Sequence, residues 1–360
     1  MRPALIVFHR WLALATSVFI LVVSLTGSAL VFEGAIDRGL NPQLWRVTPG
    51  ATLLSLDTLA ARALVSAPKG PLTGLSPAVA ADRAFTAQAS GTQIFLDPYT
   101  GRVLGTREQR DFNRTLPRRL HVLHTSLLAK GVGGAVVGIV TIASFLLVIT
   151  GSIIWWRDAL WRVRWRASWK RVVYDLHHSL GIIASLVLFV ITASGVVMHY
   201  GTIGKLIARI DATPRAAVPT QPTAGEGTVP ISLDSVAMVA QAALPGASIM
   251  FLSLPNASEP FVVSMRFPED RAPGGRSRVY VDRYRGNVLL TESTRRAPAG
   301  RAIRNMMRSV HTGDVLGKPT EVIWLLASLV LASQAISGAL MWFNARAGRT
   351  ATTRQASTRR

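Results

Sequence analysis

Four uncharged apolar runs dominate the pattern of this chain: Trp11–Phe32, Val132–Trp156, Leu176–Tyr200 and Val322–Phe343. Each holds 22 to 25 residues without Asp, Glu, Lys or Arg. About 20 apolar residues cross a bilayer core as a helix, so the pattern predicts four transmembrane helices. The two long stretches between them alternate differently. In the first, SLDTLAARAL has helical spacing, and TQIFLDPYTGRVLG reads as strand, turn, strand. The second follows the same plan with SLDSVAMVAQAAL and RVYVDRYRGNVLL, which sets Asp234 against Asp57, and Asp282, Tyr284 and Gly286 against Asp97, Tyr99 and Gly101. It adds two strand-like pieces, ASIMFLSLP and PFVVSMRF, and a Pro/Thr/Gly-rich linker near 212–230.

The expected organisation is a tandem repeat of helix, α+β lobe, helix. Transmembrane helix 1 falls at 1–33, lobe 1 at 34–131 and helix 2 at 132–156. A basic loop at 157–175 leads to helix 3 at 176–200, lobe 2 at 201–318, helix 4 at 319–343 and a basic tail at 344–360. Each unit begins on the same side, so the copies are parallel. The first apolar run is too long for the core of a signal peptide and is expected to be retained.

Charge then sets the orientation. The net charge of +21 does not indicate nucleic acid, because membrane proteins collect Lys and Arg in their cytoplasmic loops. The loop 157–175 carries Arg157, Arg162, Arg164, Arg166, Lys170 and Arg171, and the tail carries Arg346, Arg349, Arg354, Arg359 and Arg360. Both are expected in the cytoplasm with the N-terminus, and the long segments outside. Trp155, Trp156 and Trp342 fit an interfacial belt. The absence of cysteine excludes disulfides, Cys-ligated iron–sulfur clusters and thiolate haem ligation. No GxGxxG unit opens a βα fold and no P-loop is present. Intramembrane acids are also missing, which argues against a proton-coupled transporter.

The histidines repeat with the helices. His9 precedes Gly27 by 18 residues, as His177 precedes Gly195. His124 precedes Gly151 by 27, as His311 precedes Gly338. All seven histidines lie near a membrane boundary: His9, His177 and His178 at the inner end, and His121, His124, His199 and His311 at the outer. The distribution fits two metal centres, one near each face. His199 complicates the outer one. It shares a helix face with His177, offset by about 40° and about 33 Å along the axis, so two of His124, His199 and His311 remain candidates there. A single histidine at a helix end often only bonds a headgroup, and His121 and His178 have no repeat counterpart. Glycine lets a backbone or a flat ring approach closely, and Gly27, Gly195, Gly151 and Gly338 lie at the two levels. Small-hydroxyl pairs in membrane helices also serve simply as packing sites.

The LHHSLG helix start, the Thr-Gly pairs, the LHT motif before the second helix, the VxxDxYxGxVL hairpin and GVVMHYGTIGK together resemble the PepSY-associated transmembrane family. That family includes iron-regulated bacterial inner-membrane proteins and ferric-siderophore reductases. The resemblance spans essentially the whole chain. It implies two b haems with axial ligands among His9, His177, His124, His311 and His199. It also implies a periplasmic ferric siderophore as substrate, and a quinol or a cytoplasmic reductase as electron donor. Arg114, Arg118, Arg301 and Arg304 are candidate contacts to an anionic chelate or to haem propionates; basic clusters of this kind also serve as solvated or headgroup-binding faces. A PepSY-type sensor or protease regulator, and a siderophore or metal transporter, stand as alternatives.

Overall fold

The structure, a computed structural model, describes residues 2–67, 70–158, 161–207, 209–210, 217–222, 228–254 and 258–357, with side chains at 157–158 and 347–357 excepted. Most of the linker near 212–230 and the side chains of Arg157, Arg349 and Arg354 lie outside the description, as do Arg359 and Arg360. In chain order the helices are α1 (Arg2–Leu30), α2 (Glu33–Leu40), α3 (Pro42–Trp45), α4 (Leu56–Val65), α5 (Gln109–Phe112) and α6 (Leu116–Ser126). They continue with α7 (Lys130–Asp158), α8 (Trp169–His199), α9 (Gly201–Ile207), α10 (Leu233–Ala243), α11 (Ala299–Thr312) and α12 (Lys318–Ser357). The strands are β1 (Leu72–Ser76), β2 (Phe85–Ala89), β3 (Thr92–Leu96), β4 (Val103–Glu108), β5 (Ser248–Ser253), β6 (Phe261–Arg266), β7 (Ser277–Val281) and β8 (Val288–Glu292).

Two compact units emerge, one of residues 1–33, 119–204 and 307–360, the other of residues 34–118 and 205–306. In the first, α1, α7, α8 and α12 contain spans long and apolar enough to cross a membrane. Each packs on two of the others, in the ring order α1–α7–α8–α12. Hydroxyls on the buried stripes return their protons to carbonyls one turn back, as Thr16 does to Leu12 and Ser144 to Val140. No polar hydrogen is thereby left over in the bundle at these positions. The outward faces carry exposed Val18, Ile139, Leu186 and Leu326, a surface suited to lipid. The helices run past the uncharged stretches: α8 starts at Trp169 and α12 continues through Ser357. Charged residues at an interface do not end a helix whose backbone bonds are all internal.

One contact pins the start of α8. The buried Asp175 accepts from Arg164 Nε at 3.1 Å and from Arg171 at 2.9 Å, and the Arg164 backbone amide adds a third bond at 3.1 Å. The basic loop is thus folded back onto the helix by its one fully buried carboxylate.

The second unit corrects the expectation of two lobes. Both long segments contribute four strands to one antiparallel sheet, ordered β4-β3-β2-β1-β5-β6-β7-β8. The join is β1–β5, where Gly74 faces Ser253 and Leu75 faces Leu252. Phe251 lies so close to Gly74 that a Cβ there would meet its ring at 2.1 Å. The strands β1 and β2 also answer to β5 and β6, so the second segment holds no extra pair. LTGLS and FTAQA carry too little bulk to read as strands alone, and their alignment with the neighbouring strands supplies the structure.

On one face lie α4 and α10, burying Leu59, Ala63, Val236 and Ala240 against Phe85, Ile94, Leu96, Val263, Val279 and Val281. Their starts are cross-linked. Asp234 accepts the Leu56 and Asp57 amides at 2.8 and 3.3 Å, and Asp57 accepts the Leu233 and Asp234 amides at 2.9 and 3.2 Å. Each helix therefore has two of its unpaired N-terminal donors met by the other helix's carboxylate. The two DxYxG hairpins also match. Asp97 and Asp282 each accept the amide two residues on at 2.8 Å, and Gly101 and Gly286 take φ of 71° and 72°.

Candidate functional site

The histidines expected to act in pairs all lie in the unit of long helices, and four of them are seated by one local device. A hydroxyl residue followed by glycine, on a neighbouring helix, holds the Nδ1 edge of each ring. His9 on α1 faces Thr150-Gly151 of α7, and His177 on α8 faces Ser337-Gly338 of α12. His124 on α6 faces Thr26-Gly27 of α1, and His311 on α11 faces Ser194-Gly195 of α8. The pair His9/His177 is called site 1 and the pair His124/His311 site 2.

At site 1, Nδ1 lies 2.8 Å from Thr150 Oγ1 in His9 and 2.8 Å from Ser337 Oγ in His177. The Thr150 hydroxyl has one proton, directed to Leu146 O at 2.8 Å, and the Ser337 hydroxyl directs its own to Ser333 O at 2.7 Å. Each oxygen can then only accept from the ring, so Nδ1 carries the proton and Nε2 keeps a free lone pair. At site 2 the tautomer follows more directly. His124 Nδ1 is 2.9 Å from Val23 O, and His311 Nδ1 is 2.9 Å from Ile191 O. A carbonyl oxygen only accepts, so these rings are also protonated at Nδ1. Thr26 and Ser194 stand further off, at 3.2 and 3.3 Å.

All four imidazoles thus present a bare Nε2, the form in which a neutral histidine binds a metal while its other nitrogen is fixed by a second partner. The site 2 rings have centres 6.2 Å apart. Two imidazoles sharing one metal at about 2 Å from each Nε2 have centres about 6 Å apart. At site 1, His9 and His177 line a cavity of about 650 Å³ bounded by α1, α7, α8 and α12, with Arg2, Arg10 and Arg346 among its lining residues. No cluster of three or more His, Cys, Asp or Glu suited to a metal occurs among the described residues. Each pair therefore fits a metal that arrives with its own in-plane donors, as in haem.

The glycines act on the rings rather than on a cofactor face. A Cβ at Gly27 would lie 2.9 Å from His124 Cε1, and at Gly195 it would lie 3.1 Å from His311 Cε1. At Gly151 and Gly338 the distances to His9 and His177 Cε1 are 3.3 and 3.5 Å. His199 is placed differently. Its Nε2 would be 2.4 Å from a Cβ at Gly138, and its ring packs on Tyr200 at 4.9 Å, while His124 and His311 face each other. His178 bonds Tyr174 O through Nδ1 at 2.9 Å and also lines the cavity.

The arginines are scattered in role. Arg301 pairs with Glu292 at 3.7 Å, Arg114 and Arg304 are exposed, and Arg118 Nε is buried without a hydrogen-bond partner among the described residues. They belong to the sheet unit.

The hydroxyls Thr26, Thr150, Ser194 and Ser337 carry a role that sequence reasoning did not assign them. Their signal was present, since each immediately precedes one of the four spaced glycines. A search of curated proteins finds no match to this chain. The model of the PepSY-associated TM region matches residues 7–345, and the chain belongs to that family of membrane proteins.

Proposed function

We propose that this protein is a di-haem electron conduit of the bacterial inner membrane that reduces a ferric siderophore on the periplasmic side. The observation that carries the reading is the shared tautomer: four histidines, in two pairs, each with Nδ1–H anchored and Nε2 bare. Haem b bound at such a pair supplies one-electron Fe(III)/Fe(II) chemistry. His9 and His177 would hold one group and His124 and His311 the other. The chain's part is to fix the ring orientations, to line the slot with apolar side chains, and to offer Arg2, Arg10 and Arg346 to carboxylates at the site 1 cavity.

In this reading the chain is a tandem repeat with both termini in the cytoplasm, where the basic loop and tail favour placement. Its sheet unit faces the periplasm. One electron converts a ferric chelate to a ferrous one, and hard oxygen ligands hold Fe(II) more weakly. The electron comes from a quinol or a cytoplasmic reductase.

The test is the visible spectrum of purified protein from haem-replete cells. About two b haems per chain are expected, with a Soret band that shifts on dithionite. His9→Ala or His177→Ala should remove one haem and leave the other. A colourless preparation would favour a PepSY-type sensor without a cofactor. Siderophore accumulation in proteoliposomes without a reductant would favour a transporter.

A further inference from the structure

The two sites differ in what accepts the Nδ1 proton. At site 1, among the described residues, the hydroxyl of Thr150 or Ser337 is the one acceptor within hydrogen-bond reach of each ring. At site 2 a main-chain carbonyl, Val23 O or Ile191 O, is the nearer acceptor, and the hydroxyl is secondary. We propose that Thr150 and Ser337 are positioning residues that set the reduction potential at site 1, whereas the backbone sets it at site 2. This rests on the haem reading above.

The physical reason lies in the ligand's basicity. An acceptor on the remote N–H makes an imidazole more electron-rich and favours the higher oxidation state of its metal. At site 1 the acceptor is strengthened by its own donation, because Thr150 bonds Leu146 O at 2.8 Å and Ser337 bonds Ser333 O at 2.7 Å. Removing the hydroxyl takes away the whole chain of bonds and leaves a ring N–H facing apolar surroundings. At site 2, removal of Thr26 or Ser194 hydroxyls leaves each carbonyl bond in place. A side-chain substitution therefore tunes one centre and not the other.

The experiment is a potentiometric titration of full-length holoprotein followed in the visible spectrum. Site 1 is read in a His124→Ala background and site 2 in a His9→Ala background, so that one centre contributes at a time. Thr150→Val and Ser337→Ala should each raise the site 1 midpoint. The expected size is about a tenfold change in the oxidised-to-reduced ratio at fixed poise, about 59 mV for one electron. Thr150→Ser and Ser337→Thr should restore it. Thr26→Val and Ser194→Ala should leave the site 2 midpoint in place. Retained haem with an unmoved site 1 midpoint overturns the proposal, as do equal shifts at both sites. If Thr150→Val and Ser337→Ala lose the haem, recovery in the hydroxyl-preserving variants upholds the role, and loss in those too overturns it. A wild-type protein without haem refutes the underlying reading instead, and is seen before any variant is made.

Discussion

Site 1 lines an open cavity of about 650 Å³, and its rings stand 3.3 and 3.5 Å from where a glycine Cβ would lie. At site 2 those distances shrink to 2.9 and 3.1 Å, and the rings reach past the hydroxyls to the helix backbone itself. One sequence device, hydroxyl then glycine, gives two grades of grip. The difference follows from the elements that carry the rings. Site 1 histidines project from the long helices α1 and α8, whereas site 2 histidines come from the short helices α6 and α11. The turns after those short helices are unlike. Leu127, Leu128 and Lys130 take left-handed φ of 49°, 60° and 48° after α6, a conformation that Gly313 and Gly317 provide after α11 at 84° and 77°.

The largest expected effect that bears on this comparison is loss of a ligand. His124→Ala or His311→Ala should abolish the site 2 haem and leave site 1, seen as half the haem per chain; loss of both centres from either variant would break the picture of two independent sites. Next come the glycines. A methyl at Gly27 forces the His124 ring to shift, with an overpacking cost of about 1–3 kcal/mol. The cost should decline through Gly195→Ala and Gly151→Ala to Gly338→Ala, where 3.5 Å is an ordinary contact. Thermal melts of the four variants, with the haem ratio, give the order; an equal response at all four positions would remove the distinction between the grips.

The sheet unit supplies a contrast in which the two halves match. Asp57→Ala and Asp234→Ala should each cost about 1–2 kcal/mol, the usual range for losing a helix cap, and by similar amounts because each meets two amides of the other's helix. A marked inequality in thermal stability would show that the halves differ here as well. The smallest effect is on pH dependence. Partial burial acts to raise the Asp234 pKa, but hydrogen bonding with Asp57, the Leu56 and Asp57 amides and Ser55 outweighs it, so the pKa is lowered. Asp282 is lowered in the same way, as bonds from Tyr284, Gln221 and Arg285 overcome its burial. A carboxylate with a depressed folded pKa contributes stability above its unfolded value, about 3.9, and loses it as pH falls through the folded one. Melts should be flat from pH 7 to about 5 and decline below about 4; in Asp234→Ala the acid decline should be shallower.

Much of the fold was legible because its signals are local. An uncharged run of 22 residues has few fates other than a membrane span. The DxYxG turns declare themselves because aspartate must accept the amide two residues on and glycine must take positive φ. The strands β1 and β2 were not legible. Small residues such as those of LTGLS and FTAQA become strands by pairing, and their partners lie elsewhere in the chain. The single sheet was hidden for the same reason, since β1 and β5 are separated by a hundred and seventy residues of sequence and joined by main-chain bonds that leave no side-chain pattern.

By itself the sequence determined which residues are available at each level of the bundle. Equal intervals of 18 and 27 residues on regular helices place His9 with His177, His124 with His311, and the four glycines opposite them. Tertiary structure alone decided what each ring touches. It brings His124 and His311 face to face at 6.2 Å and sets His199 against Gly138. It also gives site 1 a hydroxyl and site 2 a carbonyl as the partner of Nδ1. Helical periodicity fixes the side of a helix from which a residue projects. The acceptor it meets belongs to another helix, and a difference of a few tenths of an ångström in their approach selects between two oxygens.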